Sequence, residues 1–246
     1  MDAPDMIAEL ARLIKNSSRV VFFGGAGVST ESGIPDFRSA QGIFRQSGEY
    51  PPEEIVSHDF FLEHPDEFYK FYTEKMIFTQ AKPNAAHLAL ARLEREGHIS
   101  AVVTQNIDGL HSAAGSKNVY ELHGKIRSNH CMKCKKFHPL ESVLCGGVPR
   151  CECGGLIKPD VVLYGEMLDE SVISGAVDAI SDAEVLIIGG TSLNVYPASG
   201  LVRYFRGSSL VLINKTPTGA DSAADIVIRE PIGEVFEKIM KELDLS

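Results

Sequence analysis

Gly24, Gly25 and Gly27 follow an apolar run and open the stretch GGAGVSTESGIPDFRS. Glycines at such a position let the backbone approach a pyrophosphate group, and the N-terminus of a following helix adds N–H donors. The spacing departs from G-x-G-x-x-G, because Thr30 stands where a third glycine would be, counted from Gly25. By itself, the loop fits a nucleotide site and a tight turn between a strand and a helix equally well.

The same stretch ends with an aromatic and a cationic residue, Phe37 and Arg38, on a turn stiffened by Pro35. An aromatic face can cover a flat ring or shield a reactive cation, and arginine can bind phosphate through two parallel hydrogen bonds. Either residue alone has an ordinary explanation, as core packing or as a solvated surface charge. Next to the glycine loop, they strengthen the case for a nucleotide site.

A polar cluster of Gln105, Asn106 and Asp108 follows the short apolar run at 101–104. In open α/β sheets, ligands bind beyond the carboxyl ends of the strands. Amide side chains suit ribose hydroxyls and carboxamides, because they both donate and accept hydrogen bonds. Asn, Asp and Gly are also ordinary turn formers, so a turn without a ligand is the alternative.

His123 closes another short apolar run, directly before Gly124. A histidine at this place could act as a general base, because its unperturbed pKa lies near neutrality. For His111 we expect a structural hydrogen bond. Four further histidines stand in helical or surface contexts and are expected to have no catalytic role: His58, His64, His87 and His98.

All five cysteines fall between residues 131 and 153. Cys131 and Cys134 form a C-x-x-C pair, and Cys151 and Cys153 form a C-x-C pair further along the chain. Two thiolate pairs that a hairpin brings together suit tetrahedral zinc, and we interpret the site as structural. The alternative ligands are Cys145, His130 and His138.

These residues need a scaffold, and the chain alternates short apolar runs with helical patterns. The runs that predict buried strands lie at 19–23, 101–104, 161–164, 184–190 and 209–214. Helical periodicity predicts helices at 4–16, 84–96, 169–182 and 231–243. Strands that alternate with helices predict an α/β fold, a Rossmann-like parallel sheet with helices on both faces.

Two stretches interrupt this alternation and predict a smaller second domain. Residues 40–82 are rich in Phe, Tyr, Pro and His and predict a helical insertion. Residues 125–158 hold the cysteines and predict a zinc-binding module. The Rossmann-like domain then consists of residues 1–39, 83–124 and 159–246.

The chain has 246 residues and a net charge of −9, which argues mildly against nucleic acid as a direct partner. The start of the sequence lacks the basic and apolar regions of a signal peptide. No run approaches the roughly 20 apolar residues of a membrane helix. Because clustered cysteines suggest metal binding in a reducing compartment, we predict a cytoplasmic protein that binds no membrane.

Together, these motifs resemble those of the sirtuin family, the NAD-dependent protein lysine deacylases. The matching segments follow in the family's order: GAGVSTESGIPDFRS (25–39), TQNIDGLH (104–111), ELHG (121–124), the four cysteines, KPDVVLYGE (158–166) and GGTSLNVYPAS (189–199). The match spans nearly the whole chain. The resemblance implies that the chain cleaves NAD and removes acetyl groups from protein lysines, with nicotinamide and 2′-O-acetyl-ADP-ribose as products.

The resemblance also implies roles for individual residues. His123 matches the general base, Phe37 shields the ribosyl carbon C1′, and Asn106 is the third catalytic position. The positions implied to bind NAD are Gly25, Ala26, Gly27, Thr30, Phe37, Arg38, Gln105, Asn106, Ile107, Asp108, Thr191, Ser192, Asn214 and Ile232. Val162 and Tyr164 match the strand that pairs with an extended acetylated peptide. One structural zinc ion is implied at Cys131, Cys134, Cys151 and Cys153.

One position bears on the acyl group. Sirtuins that prefer acidic acyl chains carry a tyrosine followed three residues later by an arginine, whereas here Tyr69 is followed by Tyr72. Without that cation, a buried carboxylate would lack a partner, so we predict deacetylation over desuccinylation. The alternatives that use the same NAD site are mono-ADP-ribosyl transfer and the removal of longer acyl chains. We expect a monomer.

Overall fold

The structure is a computed structural model that describes residues 3–37, 42–45 and 50–245. Within these ranges the strands are β1 (Val20–Gly24), β2 (Ala101–Thr104), β3 (Val119–Glu121), β4 (Gly124–Cys131), β5 (Phe137–Pro139), β6 (Ile157–Val161), β7 (Val185–Gly189), β8 (Ser209–Ile213) and β9 (Ile226–Ile228). The α-helices are α1 (Ala3–Asn16), α2 (Pro52–Ile55), α3 (His58–Glu63), α4 (Pro65–Phe71), α5 (Ala85–Arg95), α6 (Leu110–Ala114), α7 (Glu170–Asp182) and α8 (Ile232–Glu242). A π-helical turn, Tyr72–Met76, continues α4.

Six parallel strands of the described chain form the larger sheet, in the order β3-β2-β1-β7-β8-β9. β1 lies near the centre, where Phe22 is opposite Val102 of β2 and Ile187 of β7. The β-branched and aromatic residues of these strands suit a sheet that is buried on both faces. The predicted α/β class with a parallel sheet is confirmed.

Alternate residues of the strands face opposite layers of helices. Val20 and Phe22 belong to an apolar cluster with α1, α5 and α8. Val21 and Phe23 belong to a second cluster with α7 and the 3-10 segment Ala198–Tyr204. This period of two residues is expected of a strand whose two faces are both covered. The prediction of helices on both faces is confirmed.

The predicted helix starts agree with the capping residues of the structure. Asn84 accepts hydrogen bonds from N–H groups of the first turn of α5, and Asp169 does the same for α7. Both side chains satisfy N–H groups that have no partner within the helix. The predicted helices 84–96 and 169–182 therefore begin at the capping residue itself.

The strand predicted at 161–164 differs from the structure. The strand there is β6, which ends at Val161 and pairs antiparallel with β4 in a second sheet of order β5-β4-β6. Beyond Val161, the N–H of Tyr164 donates to the carbonyl of Val56 at 3.0 Å. Because a continuous apolar run is typical of a buried parallel strand, the sequence pattern placed this segment in the wrong sheet.

Other elements also differ from the sequence-based expectation. β3 and β9 of the parallel sheet are absent from the predicted strands, because three residues each are too few to show a period. The helix expected after the glycine loop is instead a pair of 3-10 turns, Ala26–Val28 and Thr30–Ser32. This loop therefore does not lead into a long helix whose N-terminus could bind a phosphate group.

The second sheet shares an apolar cluster with α3 and α4. Phe61, Phe68 and Tyr69 from the helices pack with Ile157 and Val161 from β6. β4 and β6 cross the predicted domain borders at 124/125 and 158/159, and the division of the chain into domains stays a prediction. In the ranges described, no helix is both long and apolar enough to span a membrane.

Candidate active site

A cleft of about 930 Å³ opens at the carboxyl ends of the parallel strands. Its walls come from the loops that follow β1, β2, β7 and β8 and from the segment 161–166. The chain order reverses at β1, since β2 lies on one side of it and β7 on the other. Ligands of open α/β folds bind at such a switch point.

The glycine loop packs directly on the loop after β7. The N–H of Gly27 donates to the carbonyl of Gly190 at 2.8 Å, and a Cβ on Gly27 would lie 2.8 Å from Gly190 Cα. A Cβ on Gly25 would lie 2.7 Å from Cβ of Thr191. These glycines are required for the contact between the two loops, and their role in binding pyrophosphate stays a prediction.

Ser29, a residue that sequence reasoning misses, links two of the predicted ligand-binding residues. Its Oγ donates to the Asp108 carboxylate at 2.7 Å and accepts from Nδ2 of Asn106 at 3.1 Å. Asp108 also accepts the N–H of Leu110 at 2.9 Å. Burial raises the pKa of Asp108, and the hydrogen bonds from Leu110 and Ser29 oppose that rise. The hydroxyl within the glycine-rich loop is the sequence signal that points to this residue.

Gln105 presents a hydrogen-bond donor that the described protein residues do not use. Its backbone N–H donates to the carbonyl of Gly24 at 2.9 Å, which fixes the residue at the end of β2. Its side-chain Nε2 is buried and has no hydrogen-bond partner within the described part of the chain. Because a buried unpaired donor costs about 1–3 kcal/mol, a ligand carbonyl or hydroxyl at this point would be stabilising.

His123 lies in the cleft beside Gln105. Its Nδ1 is 2.9 Å from the backbone carbonyl of Gln105, and because a carbonyl oxygen only accepts, Nδ1 carries the proton. Burial lowers the pKa of His123, although the hydrogen bond to Gln105 partly opposes this. The ring is therefore neutral at pH 7, and its Nε2 holds the lone pair of a base.

The predicted site residues divide by their position relative to the cleft. Those that line it are Ala26, Gly27, Thr30, Phe37, Gln105, Asn106, Ile107, His123, Val162, Tyr164, Thr191, Ser192, Asn214 and Ile232. Gly25 and Asp108 do not line it, since Gly25 packs on Thr191 and Asp108 reaches Asn106 through Ser29. Arg38 lies outside the described residues. The individual roles of these residues stay predictions.

The expectation of a hydrogen bond for His111 is wrong. Neither ring nitrogen has a partner among the residues that the structure describes, and the ring packs on His87 with 4.7 Å between centroids. Burial lowers the pKa of His87 to about 4 and that of His111 to about 3. Both rings are therefore neutral at pH 7, and His87 is a core residue that also belongs to the cap of α5.

The four predicted zinc ligands converge at one point. Sγ of Cys131 is 3.4 Å from that of Cys153, and Sγ of Cys134 is 3.7 Å from that of Cys151. All four sulfurs lie within 4.8 Å of one another. Tetrahedral zinc with Zn–S bonds of about 2.3 Å places its sulfurs about 3.8 Å apart. The set therefore fits one structural zinc ion, as predicted.

The backbone around these sulfurs supports metal binding. The N–H of Cys134 donates to Sγ of Cys131 at 3.5 Å, and this hydrogen bond is the main reason that the pKa of the Cys131 thiol falls to about 6. The neighbouring sulfurs raise the pKa of the Cys134 thiol to about 11, so Cys131 is the first of these two residues to form the thiolate that binds zinc. Gly155, which sequence reasoning misses, leaves room for the cluster, because a Cβ there would lie 2.6 Å from Sγ of Cys131.

The alternative zinc ligands lie apart from the four sulfurs. Cys145 donates its thiol to the carbonyl of Glu141, and Nδ1 of His130 is 2.8 Å from the Asp160 carboxylate. His138 does not join the cluster either. The choice of ligands made from the spacing of the cysteines therefore agrees with the geometry.

A sequence model of the Sir2 family matches residues 25–197. The chain belongs to the Sir2 family. A NAD-dependent protein deacetylase of Clostridium acetobutylicum is 57% identical over 96% of this chain and 98% of its own length. A protein of the same name from Clostridium perfringens is 58% identical over 96% of this chain and 99% of its own length. The family predicted from the motifs is confirmed.

Solved Sir2 structures share the fold of this Sir2 chain. A structure of Sir2 with a p53 peptide and NAD+ is 40% identical, with a TM-score of 0.86 over 97% of this chain and 98% of that chain. A structure of Sir2 bound to an acetylated peptide is 39% identical, with a TM-score of 0.85 over 98% of this chain and 99% of that chain. Likeness at this level covers the parallel sheet and the smaller sheet together.

In this Sir2 protein, the two tyrosines of the helical insertion are buried in the apolar cluster next to the cleft. Tyr72 stacks on Phe68 with 5.4 Å between ring centroids, and the Tyr69 hydroxyl donates to the carbonyl of Ile157. Met76 packs against the same cluster and lines the cleft. No arginine of the described residues lines the cleft, although Lys215 does, and the preference for acetyl over succinyl groups stays a prediction.

Proposed function

We propose that this protein removes acetyl groups from the lysine side chains of proteins, with NAD as co-substrate and nicotinamide and 2′-O-acetyl-ADP-ribose as products. Its Sir2 relatives carry the name NAD-dependent protein deacetylase, and one solved Sir2 structure combines a p53 peptide with NAD+. NAD, when bound, would supply the ribose whose 2′-oxygen carries the acetyl group in the product, and a nicotinamide that can leave. The residues of this chain bind and orient both substrates and move a proton.

The arrangement of His123 is the observation that carries this proposal. Because Nδ1 is held by the carbonyl of Gln105, Nε2 is the atom that takes a proton from a substrate hydroxyl in the cleft. Burial lowers the pKa of the ring, so the base needs no deprotonation at neutral pH. Positioned general bases contribute about 10²–10⁴-fold to the rate.

Residues of the loops after β1, β2, β7 and β8 would hold NAD. The unpaired Nε2 of Gln105 fits a carbonyl or hydroxyl oxygen of the nicotinamide riboside half. Asn106 is 7% exposed and is held by Ser29, so its orientation is set before any ligand binds. We assign Phe37, whose ring lies 5.1 Å from that of Phe44, to cover the reacting end, because excluding water suppresses hydrolysis.

We assign the acetylated peptide to the segment 162–165, where it would add a strand. The N–H groups of Val162 and Tyr164 already donate to the carbonyls of His123 and Val56. Gly165 lines the cleft as well, and its backbone groups have no hydrogen-bond partner among the described residues. The peptide backbone would therefore pair at Gly165, while the side chains of Val162 and Tyr164 line the site.

Mass spectrometry on an acetyl-lysine peptide and a succinyl-lysine peptide, each with and without NAD, tests this function. We expect loss of the acetyl group only with NAD, together with acetyl-ADP-ribose, and retention of the succinyl group. His123→Ala should lower acetyl release by at least about 10²-fold, while NAD still raises the melting temperature. Faster desuccinylation would contradict the interpretation of Tyr72. Transfer of ADP-ribose to protein without deacetylation would favour the transferase alternative.

We also propose a cytoplasmic location and a monomeric state. None of the five cysteines, all of which lie in the described part of the chain, forms a disulfide, which supports a reducing compartment. Cell fractionation of the source organism tests the location, and light scattering coupled to size-exclusion chromatography tests the oligomeric state. A mass near twice the 26.8 kDa of the chain would contradict the monomer.

A further inference from the structure

The carboxylate of Glu166 lies where three segments at the edge of the cleft meet. Its Oε2 is 3.0 Å from Nζ of Lys158 and accepts the N–H of Leu163 at 2.9 Å. Its Oε1 is 2.8 Å from Nδ1 of His58. The side chains of Lys158 and Glu166 are only 18% and 19% exposed, so both charges are largely withdrawn from water. Both carboxylate oxygens have protein partners, and the proton transfer assigned to His123 uses neither.

Glu166 closes a tight turn around Gly165. Its backbone N–H donates to the carbonyl of Leu163 at 3.0 Å, while its side chain accepts the N–H of the same leucine. Gly165 has a φ of +90°, a left-handed conformation that residues with a Cβ rarely adopt. Because Glu166 holds both backbone groups of Leu163, the backbone of Gly165 is left as the edge that a peptide can use.

Lys158 and His58 connect this turn to the elements around it. Nζ of Lys158 also donates to the carbonyl of Val161 at 3.0 Å, at the end of β6. His58 is the first residue of α3, and its backbone N–H donates to the carbonyl of Tyr164 at 2.9 Å. The carboxylate therefore joins β6, α3 and the turn, and its position decides how the turn faces the cleft.

The balance of charges keeps Glu166 ionised. Burial acts to raise the pKa of Glu166, but the N–H of Leu163 and the contacts with His58 and Lys158 outweigh it, and the pKa lies below its usual value. An amide in place of the carboxylate would leave the Lys158 ammonium group partly buried without its anion. The one amide oxygen could still accept from Leu163 and Lys158 in place of Oε2, but without a charge, and the NH2 group in place of Oε1 could not accept a hydrogen bond from His58.

We propose that Glu166 is a positioning residue for the substrate peptide, which holds the turn at Gly165 in the conformation that pairs with the acetylated strand. Lys158 and His58 fix the carboxylate that does this. The proposal rests on the deacetylase function proposed above. Because Glu166 acts through Gly165, its loss should weaken peptide binding, while the proton transfer at His123 and the binding of NAD continue.

Steady-state kinetics of Glu166→Gln with an acetyl-lysine peptide at saturating NAD test this inference. We expect the KM for the peptide to rise about tenfold, with kcat changed less than about twofold. The NAD dissociation constant, measured by calorimetry without peptide, should stay at the wild-type value. Fluorescence anisotropy with a labelled acetyl-lysine peptide should show the same loss of affinity as the KM. A merely structural role would lower the amount of active enzyme, and hence kcat, with an unchanged KM.

Glu184→Gln is a matched control, because the carboxylate of Glu184 also pairs with a cation, here Arg19, and also accepts a backbone N–H, here that of Ser18. It lies outside the cleft and should leave the peptide KM unchanged. If Glu166→Gln does not fold, His58→Gln retains the pair with Lys158 and should raise the KM about two- to threefold.

Three results would overturn the inference. One is a folded Glu166→Gln, or His58→Gln in its place, with the wild-type peptide KM. Another is an equal loss of NAD affinity and peptide affinity. The third is a wild-type protein that does not deacetylate the peptide with NAD, which would overturn the proposed function as well and is thereby distinguished from the first two.

Discussion

The parallel sheet and the cysteine-bearing segment 125–158, which we predict to be a zinc-binding module, are stabilised by different interactions. On one face of the sheet, the buried rings of Phe22 and Phe236 meet edge to face at 5.9 Å between centroids. In the module, Phe137 and Leu144 are 54% and 42% exposed, while Cys131 is fully buried. Burial of apolar surface stabilises the sheet. The module also buries apolar residues, such as Ile126 and Val143, in the cluster that it shares with α3 and α4, but it depends in addition on a ligand that joins its two ends. The first kind of stability is spread over many side chains, and the second is concentrated in four.

The largest effect is therefore expected from a single thiolate. Cys131→Ser should reduce the zinc content from about one ion per chain to near zero, because three thiolates bind zinc far less tightly than four. The module should then unfold locally, and peptide deacetylation should fall by more than about tenfold, because β4 pairs with β6, whose last residue, Val161, lines the cleft. Atomic absorption and hydrogen exchange of residues 125–158 measure the two consequences.

Cys145→Ser is the matched control for this prediction. Its thiol lies outside the cluster and donates only to the carbonyl of Glu141, so zinc content and activity should stay at the wild-type level. If Cys131→Ser instead unfolded the parallel sheet as well, the two regions would form one cooperative unit and the comparison would fail.

The sheet should respond to the loss of a large buried side chain. Phe236→Ala removes a fully buried ring that contacts Phe22, and should lower the free energy of unfolding by about 3–5 kcal/mol. For a chain of this size, that corresponds to a melting temperature lower by about 10 °C. Calorimetry measures the shift, and the zinc content should remain at one ion per chain.

Leu88→Ala tests whether burial is the cause. Leu88 belongs to α5, which packs in the same layer as Phe236, but its side chain is 54% exposed. Its truncation should cost less than about 1 kcal/mol. Equal losses for the two variants would mean that the layer is not held together by apolar burial.

A third prediction concerns two buried polar side chains of the same layer, His87 and His111, whose protonation at low pH should lower the stability of the fold. Unfolded histidine has a pKa near 6.5, whereas burial lowers the pKa of His87 to about 4 and that of His111 to about 3. Below pH 6.5 the unfolded chain therefore binds more protons than the folded chain. The free energy of unfolding is highest above pH 6.5, and it decreases as the pH falls toward 4. Denaturant unfolding should show a loss of about 2 kcal/mol per histidine between pH 7 and pH 5.

A variant separates this effect from the titration of carboxylates. His111→Leu should lower the pH dependence of the free energy of unfolding by the share of one histidine, whatever its effect on stability at pH 7. An unchanged slope in His111→Leu would show that the pKa of this ring is the same in the folded and the unfolded chain.

Local patterns explain which parts of the fold were predictable. Runs of β-branched residues indicate the longer strands of the parallel sheet. A capping residue indicates where α5 and α7 begin. The cysteine spacing was sufficient for the zinc ligands, because each pair lies within one short turn. In these regions, residues that are neighbours in the chain are sufficient to predict the local structure.

Contacts between distant parts of the chain explain the rest. His58 and Glu166 are 108 residues apart, and Ser29 and Asp108 are 79 residues apart, so no local pattern indicates that they meet. The segment 162–164 has the composition of a buried strand, yet it pairs with the chain before α3. The path of this segment depends on the positions of the second sheet and the helical insertion. The periodicity of the local sequence does not predict those positions.

The smallest effect is expected from Asn84, which lies at the edge of the apolar layer and tests how much a single polar contact contributes to the stability of that layer. Asn84 caps α5, and its Nδ2 also donates to the carbonyl of Val28 in the glycine loop at 2.7 Å. Asn84→Ala should cost about 1 kcal/mol, the usual contribution of such a cap, as measured by denaturant unfolding. Asn84→Ser keeps a capping oxygen but loses the amide donor, and should recover most of that loss. If the serine variant is as unstable as the alanine variant, the hydrogen bond to Val28 contributes more to stability than the cap does. The apolar layer would then depend in part on a single polar contact, much as the zinc-binding module depends on its four thiolates.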